Sequence, residues 1–420
     1  MKFIHASDLH IDSPMRGLSE YEGAPTQRLR GATRLALNAL VDLAIDQSVD
    51  FVILAGDIYD GDWTDFRTGL FFREQMLRLT QQGIRVFVCK GNHDAASVIT
   101  RQLPAVDGVH VFDSRKAETV ELTALNVALH GQSFPQRAVP EDLVLSYPAP
   151  VPGKFNIGVL HTSLSGRPGH DPYAPTSVAV LTSKGYDYFA LGHVHAREIV
   201  HDCDPRIVFP GNLQGRDARE TGPKGCELVT VSDGTITSTE FVALDVVRWH
   251  QIHLNATGLD NVDALSSRFI DHMREQTALA RDRLHAVRVI VHGESSLHRL
   301  EAQQPGVLAA AIQAAAQDCD DFEVWIEEVR LQLRSPLDRT AGAMRTDAIG
   351  DVMRLVDSLC ADEALLKSWA LEQLKDLPSL PRDLAAAAPD RLTVDELRMA
   401  IIDAEASVLA QLSNAVNSGQ

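Results

Sequence analysis

Short apolar runs alternate with amphipathic stretches over the first half of the chain. The apolar runs predict strands over residues 3–6, 51–55, 86–89, 157–160 and 188–191. Between the first two runs, apolar residues from Leu37 to Ala44 recur at three- and four-residue spacing, which predicts an amphipathic helix over residues 26–47. Strands that alternate with helices in this way are typical of an α/β layered fold.

The pattern changes after residue 200. Three further strands are predicted over residues 207–209, 227–231 and 236–242, and we expect them to extend or face the first sheet. Ser232-Asp233-Gly234 predicts a tight hairpin turn between the last two. The next segment predicts strand, helix, strand, helix and strand over residues 249–254, 262–273, 287–291, 297–316 and 322–333. This order predicts a compact second domain.

Helical periodicity replaces the strands beyond Ser335-Pro336. An apolar stripe between Ile349 and Leu359 predicts a helix that packs either on its own protein or on a partner. Further on, Thr393 and Glu396 form a capping-box pattern. It predicts a last helix whose inward residues are Leu397, Ile401, Val408 and Leu412. We therefore predict three regions, which are residues 1–244, 245–335 and 336–420.

Charge and composition narrow the classes of function. The 39 Lys and Arg residues stand against 57 Asp and Glu residues, and the formal net charge of −18 is opposite to that of ordinary duplex-binding modules. A hydrophobic content of 45% excludes disordered and fibrous classes. Five scattered cysteines without a Cys-x-x-Cys pair favour a reducing cytoplasm. No apolar run reaches the roughly 18 residues of a membrane span, and no signal peptide is recognised, so we expect no membrane partner.

Metal-competent side chains follow five of the predicted strands. They are Asp8, His10, Asp57, Asn92, His93, Asp94, His161, His193 and His195. Because ligands of open α/β folds gather at the carboxyl ends of strands, these residues can meet in one crevice. Carboxylates, an amide and imidazoles without thiolates favour Mn²⁺, Fe²⁺ or Zn²⁺ over Ca²⁺. The set can hold two ions with Asp57 between them, and two ions about 3.5–4 Å apart clamp and polarise a phosphoryl group.

Not every polar residue in these segments is expected to bind metal. His93 is placed to stay off the ions and donate a proton to the leaving oxygen. Asp94 is expected to support His93 or cap the next turn. We interpret five isolated histidines as polar surface; they are His5, His110, His130, His250 and His253.

Five short motifs occur in order. They are Ser-Asp-Leu-His at 7–10, Gly-Asp-Ile-Tyr-Asp at 56–60, Gly-Asn-His-Asp at 91–94, His161, and Gly-His-Val-His at 192–195. The series resembles the calcineurin-like metallophosphoesterase superfamily. The opening His-Ala-Ser-Asp-Leu-His-Ile-Asp and the second domain resemble its DNA double-strand-break repair nucleases, the SbcD-like branch with its YhaO-like members. The resemblance implies a sandwich of two sheets flanked by helices, a smaller α+β capping domain that binds DNA, and a helical C-terminal tail.

The resemblance also implies roles for single residues. One ion would be held by Asp8, His10, Asp57 and His195, and the other by Asp57, Asn92, His161 and His193. His93 would act on the transition state and leaving group. Mn²⁺ is the favoured metal, with Mg²⁺, Fe²⁺ or Zn²⁺ as alternatives. Asp60 stands where some relatives carry a second non-ligand histidine, so the choice between exonuclease and endonuclease action stays open.

Two loops carry basic residues that we predict to contact substrate phosphates. They are Arg167 in one loop and Arg216, Arg219 and Lys224 in the other. The opposing interpretation is a solvated loop paired with Asp217 and Glu220. The resemblance implies that residues 336–420 bind a coiled-coil ATPase of the SbcC type. A homodimer stays open.

The sequence thus predicts a metal-dependent phosphodiesterase that hydrolyses DNA, an exonuclease with or without endonuclease activity, in a cytoplasmic DNA repair complex. Two alternatives differ in class. The chain could be a small-molecule phosphodiesterase or phosphomonoesterase. It could instead be a DNA-end-binding scaffold with little catalysis of its own.

Overall fold

The computed structural model describes residues 1–13, 25–60, 65–96, 105–164, 173–278, 280–336, 342, 344–373 and 393–417. The chain divides into two compact units, the first formed by residues 1–250 and 282–286, and the second by residues 251–281 and 287–420. The three regions predicted above stay a prediction. Among the described residues, no helix combines the length and hydrophobicity needed to cross a membrane.

The first unit contains twelve strands within its described residues. They are β1 (Lys2–Ala6), β2 (Phe51–Ala55), β3 (Arg85–Cys89), β4 (Val109–Val111), β5 (Glu118–Leu122), β6 (Val127–Gly131), β7 (Phe155–His161), β8 (Tyr188–Gly192), β9 (Glu198–Asp202), β10 (Arg206–Phe209), β11 (Gly225–Ser232) and β12 (Thr235–Ala243). One sheet has the order β12-β11-β1-β2-β3-β4 and the other the order β5-β6-β7-β8-β10-β9. Strands β1 to β4 are parallel to one another, as are β6, β7, β8 and β10.

Helices cover the outer faces of the two sheets. Helices α1 (Thr26–Asp46) and α2 (Phe66–Gln81) pack on the first sheet. Helix α3 (Asn92–Ala96) follows β3. Helix α4 (Val178–Ser183) and the 3-10 turn at Leu143–Ser146 pack on the second sheet, and a further 3-10 turn lies at Thr123–Leu125. Strand β2 shows the layering, because all five of its residues are buried. Its Phe51 and Ile53 pack in the core between the sheets, whereas Val52 and Leu54 pack under α1 and α2. The predicted sandwich of two sheets flanked by helices is confirmed.

Most predicted elements of this unit form, and several weakly patterned ones were missed. The predicted hairpin is present, since Ser232 pairs with Thr235 and both turn residues have positive φ, 52° at Asp233 and 73° at Gly234. Strands β11 and β12 extend the first sheet, as expected, but β10 joins the second sheet beside β8. The predictions omitted β4, β5 and β9, which are short or only partly buried, and also β6, whose five residues are all buried.

Three histidines interpreted as surface are buried, so that interpretation was wrong. His5 is fully buried, with Nδ1 3.0 Å from the Tyr188 hydroxyl and Nε2 3.1 Å from the Leu191 carbonyl. Burial lowers the pKa of His5 to about 3, so its ring is neutral. His130 and His250 are also buried, and each lies within hydrogen-bonding distance of a polar side chain.

A three-stranded sheet, β13 (Val247–Asn255), β14 (Leu284–Glu294) and β15 (Glu323–Arg334), begins within the first unit and continues in the second. Helices α5 (Val262–Thr277), α6 (Leu297–Gln303) and α7 (Val307–Gln317) belong to the second unit. The single helix predicted over residues 297–316 was wrong. It breaks after Gln303 because Pro305 cannot continue a helix and Gly306 adopts a φ of 91°.

The C-terminal helices are α8 (Ala348–Ala361), α9 (Glu363–Gln373) and α10 (Val394–Asn417). The α8 stripe packs on its own protein, with Met353 against Leu409 and Leu359 against Leu397 in two small cores. The predicted capping box is present, since the Glu396 amide donates to Thr393 Oγ1 and the Thr393 amide donates to Glu396 Oε2. Val408 was wrongly predicted to face inward.

The buried positions of α10 recur every four residues, which explains the wrong prediction for Val408. Leu397, Ile401 and Leu409 are each at most 6% exposed, whereas Val408 is 42% exposed. A four-residue repeat places position 409 on the inward stripe and turns its neighbour towards solvent.

Candidate metal centre

The site forms where parallel strands from both sheets end on the same side of the first unit. Asp8 and His10 follow β1, Asp57 follows β2 and Asn92 follows β3. His161 ends β7, and His193 follows β8. The loops are joined through their backbones, because the Asp8 amide donates to the Gly56 carbonyl at 2.9 Å and the His10 amide to the Asp57 carbonyl at 3.0 Å.

The backbone at this edge adopts conformations that non-glycine residues rarely take. The φ angles are 52° at Asp8, 42° at His10, 54° at Asp57 and 101° at His193. Such left-handed residues cost about 1–3 kcal/mol each and persist where the surrounding structure fixes them, often at functional sites. Here they turn each side chain off its strand and into the crevice.

The first donor cluster consists of Asp8, His10 and His195, whose ligand atoms all lie within 4.8 Å of one another. His10 Nε2 is 3.2 Å from His195 Nε2, and His195 Nε2 is 3.7 Å from Asp8 Oδ1. Asp8 and His10 are each 1% exposed. Two imidazole nitrogens that face each other beside a carboxylate are suited to share one cation.

The second donor cluster consists of Asp57, His161 and His193, again with ligand atoms within 4.8 Å. His161 Nε2 is 3.4 Å from Asp57 Oδ2 and 3.0 Å from Asn92 Oδ1, so the amide oxygen joins this cluster. His161 Nδ1 lies 3.0 Å from the Ala55 carbonyl, a contact that turns Nε2 towards the other donors.

Asp57 is a member of the second cluster and also lies close to His10 of the first. Its Oδ2 is 3.4 Å from His161 Nε2 and 3.8 Å from His10 Nε2. Burial would raise the pKa of Asp57, but the neighbouring His161 and His10 outweigh it and hold that pKa well below its usual range. A buried carboxylate that stays ionised between two donor groups is a suitable bridge for two cations.

The space around this carboxylate admits no extra carbon atom. A Cβ placed on Gly91 would lie 2.8 Å from His161 Nε2 and would overlap Asp57 Oδ1. Glycine at position 91 is therefore required by close approach to the donors.

The residues fit the dinuclear divalent centre that the motifs imply. The seven predicted ligands fall into two groups, with carboxylate, imidazole and amide donors and no thiolate. Such a set suits Mn²⁺, Fe²⁺ or Zn²⁺. A third group of possible ligands, His10, Asp60 and His93, shares His10 with the first cluster. The assignment of each ligand stays a proposal.

His93 lies at the rim of the site beside Asp60. His93 Nδ1 is 3.1 Å from Asp60 Oδ1, and the His93 ring centroid is 5.0 Å from that of His10. Asp60 Oδ2 accepts a hydrogen bond from the Ser13 hydroxyl at 2.7 Å. Burial lowers the pKa of His93, but the bond to Asp60 and the charge of Asp57 outweigh it, so the pKa is raised overall. His93 is thus suited to carry a proton near neutral pH.

Asp94 serves the backbone of the site. Its Oδ1 accepts from the amides of Ile58 and Tyr59 at 2.9 and 3.0 Å, and its Oδ2 accepts from the Gly91 amide at 3.0 Å. Burial and the nearby Asp57 raise the pKa of Asp94 to about 6. These bonds join the loops after β2 and β3, which favours a positioning role over contact with substrate.

The predicted phosphate-contacting residues occupy different environments. Arg216 is 22% exposed and its Nη2 lies 3.2 Å from His195 Nδ1, so its guanidinium borders the first cluster. Arg219 is 85% exposed and paired with Asp217, as the opposing interpretation held. Lys224 is buried and donates to the His195 carbonyl at 2.8 Å, which favours a role in holding the ligand loop. Arg167 lies outside the described residues.

Two side chains at the site were missed as functional candidates. Glu220 Oε1 accepts from His195 Nδ1 at 2.6 Å, and Ser13 contacts Asp60 as described above. The only signal for Glu220 was its position four residues after Arg216 in a glycine-rich loop. A carboxylate near a basic residue was interpreted as a surface pair, since sequence spacing does not show burial.

Comparison with known proteins agrees with this geometry. Residues 1–197 match the family model described as calcineurin-like phosphoesterase, and residues 249–334 match the middle domain of metallophosphoesterase YhaO. The chain is 33% identical to the metallophosphoesterase YhaO of Bacillus subtilis, over 79% of this chain and 81% of the relative. It is 24% identical to the DNA double-strand break repair protein Mre11 of Methanopyrus kandleri, over 58% of this chain and 57% of the relative.

A second Mre11, from Sulfurisphaera tokodaii, is 25% identical over 61% of this chain and 66% of the relative. The YhaO relative extends across both the metal-centre unit and the segment that carries the middle-domain match. The chain therefore belongs to the calcineurin-like metallophosphoesterases, in their YhaO-like branch.

Proposed function

We propose that this protein is a metal-dependent phosphodiesterase that hydrolyses DNA, with exonuclease action and Mn²⁺ as its metal. The observation that carries the proposal is the pair of donor clusters with Asp57 within 3.8 Å of a histidine of each, and with His93 beside them. Two adjacent divalent ions supply, when bound, charge neutralisation at the phosphoryl group and activation of water at neutral pH.

The residues of this chain would bind the ions, donate a proton and contact the substrate. Asp8, His10, Asp57 and His195 would hold one ion, and Asp57, Asn92, His161 and His193 the other. His93, held by Asp60, would donate its proton to the departing 3′ oxygen as the ester bond breaks. Arg216 would contact a substrate phosphate, because its guanidinium borders the first cluster.

The proposal of DNA as substrate is supported by the two Mre11 relatives, whose names place them in double-strand break repair. The same relatives support a place in a DNA repair complex, with a coiled-coil ATPase of the SbcC type as partner. We place the docking surface for this ATPase in residues 336–420. Exposed apolar side chains on α8, α9 and α10 support this placement, among them Leu355, Leu365, Leu371, Met399, Ile402 and Val408. Cytoplasmic location and a homodimer are further parts of the proposal.

A second candidate function is hydrolysis of small phosphate esters. The net charge of −18 favours it, as does the excess of carboxylates over basic side chains within residues 249–334. A strongly acidic protein attracts a polyanion weakly at long range.

The test compares substrates on one preparation. End-labelled linear and hairpin DNA, and bis(nitrophenyl) phosphate and nitrophenyl phosphate, are incubated with the protein in Mn²⁺ or Mg²⁺. The proposal expects cleavage of DNA that is lost with EDTA. Strong turnover of the nitrophenyl esters with no cleavage of either DNA would contradict it and support the second candidate.

Asp60→Asn should lower the pKa of His93 and shift the alkaline limit of activity to lower pH. The Asp60 carboxylate raises the pKa of His93 against the opposing effect of burial, and an amide lacks the charge to do so. A smaller fraction of His93 is then protonated as pH rises, so we expect the alkaline limb of the rate profile to move to lower pH. The rate at pH 8 should fall about tenfold.

The measurement is kcat against pH between 5.5 and 9 at saturating Mn²⁺. Asp65→Asn is the matched control, because that carboxylate pairs with exposed Arg67 outside the clusters. A pH profile of Asp60→Asn that matches wild type would contradict the prediction that Asp60 raises the pKa of His93.

A further inference from the structure

Glu220 is a partly buried carboxylate that contacts a predicted metal ligand without belonging to either donor cluster. It lies 13% exposed in the loop after β10, within the first unit. Its Oε1 accepts from His195 Nδ1 at 2.6 Å. Nε2 of the same ring points at Asp8 and His10.

The carboxylate is itself held in place. Its Oε2 accepts from Asn212 Nδ2 and from the Arg216 amide, both at 2.8 Å. The loop that carries it is anchored to β13, because Trp249 Nε1 donates to the Gly215 carbonyl at 3.0 Å and Gln214 Nε2 donates to the Val247 carbonyl at 2.6 Å. Glu220 therefore presents a fixed oxygen to His195.

A fixed acceptor on Nδ1 has two effects on the imidazole. It selects the tautomer with the proton on Nδ1, which leaves the Nε2 lone pair for a cation, and it fixes the orientation of the ring. Glu220 also offsets the positive charge of Arg216, whose Nη2 lies 3.2 Å from both Glu220 Oε1 and His195 Nδ1. Without that carboxylate, a guanidinium would stand uncompensated beside the cation site.

We propose that Glu220 is a positioning residue that sets the affinity of the first donor cluster for its metal ion. The proposal rests on the proposed metal centre and concerns only one of its two sites. In the second cluster, His161 Nδ1 faces the Ala55 carbonyl instead of a carboxylate. The effect of Glu220 should therefore be selective.

The experiment is calorimetric titration of the EDTA-treated, dialysed full chain with Mn²⁺ alone, in the absence of any substrate. Wild type should bind two ions. Glu220→Gln should raise one of the two dissociation constants about 10- to 100-fold and leave the other within about twofold. Asp217→Asn is the matched control, because Asp217 lies in the same loop and pairs with exposed Arg219; both of its constants should match wild type.

Thermal unfolding in EDTA shows whether each variant is folded. If Glu220→Gln does not fold, Glu220→Asp replaces it, since that change keeps the charge and withdraws the carboxylate from His195. Wild-type affinity at both sites in a folded Glu220 variant would overturn the proposal, and so would equal weakening of both sites. Failure of wild type to bind Mn²⁺ would instead overturn the proposed metal centre, so the two failures are distinguishable.

Discussion

Replacing Asp57 by Asn is expected to lower the phosphodiesterase rate at least about 1000-fold, because Asp57 is the one carboxylate that we assign to both ions. The substitution keeps the shape of the side chain and removes its charge. An amide between two imidazole groups cannot bridge two cations as a carboxylate does. Every other predicted ligand serves one ion, so no other single ligand change should be as severe.

Two measurements check this prediction. The initial rate on the substrate cleaved by wild type should fall to background, and the rise in melting temperature that Mn²⁺ produces in wild type should be lost. Asp42→Asn, at an exposed carboxylate of α1 paired with Arg78, should change neither. An Asp57→Asn protein that retains both properties would show that Asp57 does not bridge the ions.

His93→Gln should lower kcat for DNA by about 10²- to 10⁴-fold, the usual contribution of a general acid. The effect should depend on the leaving group. A 3′ alkoxide needs a proton to depart, whereas nitrophenolate departs readily without one. We therefore expect the loss to be much smaller on bis(nitrophenyl) phosphate than on DNA. Mn²⁺ affinity should stay near that of wild type, since we assign both ions to the other two donor clusters and not to the group of His10, Asp60 and His93.

The comparison of the two substrates in one variant is the decisive measurement. An equal loss of rate on both substrates would indicate damage to the metal centre, and Mn²⁺ titration would reveal it. Cleavage of DNA by His93→Gln at the wild-type rate would show that His93 is not the general acid. A variant of the surface residue His110, which pairs with Glu118 away from the site, serves as the control.

The ligands could be predicted from sequence because each lies at the end of an apolar strand or shortly after it. A residue such as Asp57, which follows β2 after a single glycine, has its location fixed by that strand. The convergence of two sheets at one edge was accessible only through the family resemblance, since periodicity does not report which strands are neighbours. Residue type is only a weak signal for the left-handed backbone at Asp8 and Asp57, because aspartate adopts that conformation more often than most non-glycine residues but still in a minority of cases.

Side chains that act through other side chains were the hardest to predict. Glu220 and Lys224 contribute to the site through His195, and their sequence context resembles an ordinary charged loop. The error at Val408 has a different origin, because the stripe on α10 recurs every four residues and short apolar patterns allow neighbouring phases. The break between α6 and α7 had a clear signal in Pro305 and Gly306, which the apolar run around it obscured.

Each donor cluster takes residues from both sheets, and this has a mechanical consequence. Asp8 and His10 extend from one sheet and His195 from the other, and the same holds for Asp57 against His161. Between the sheets lies a layer that contains Phe51, Phe87 and Tyr188. Its thickness therefore sets the distance between the ligands that would bind one ion from the two sheets. Large-to-small substitutions in that layer would change the distance between the ligands of the two sheets without touching the ligands themselves. The buried aromatic layer therefore acts as a spacer for the metal centre.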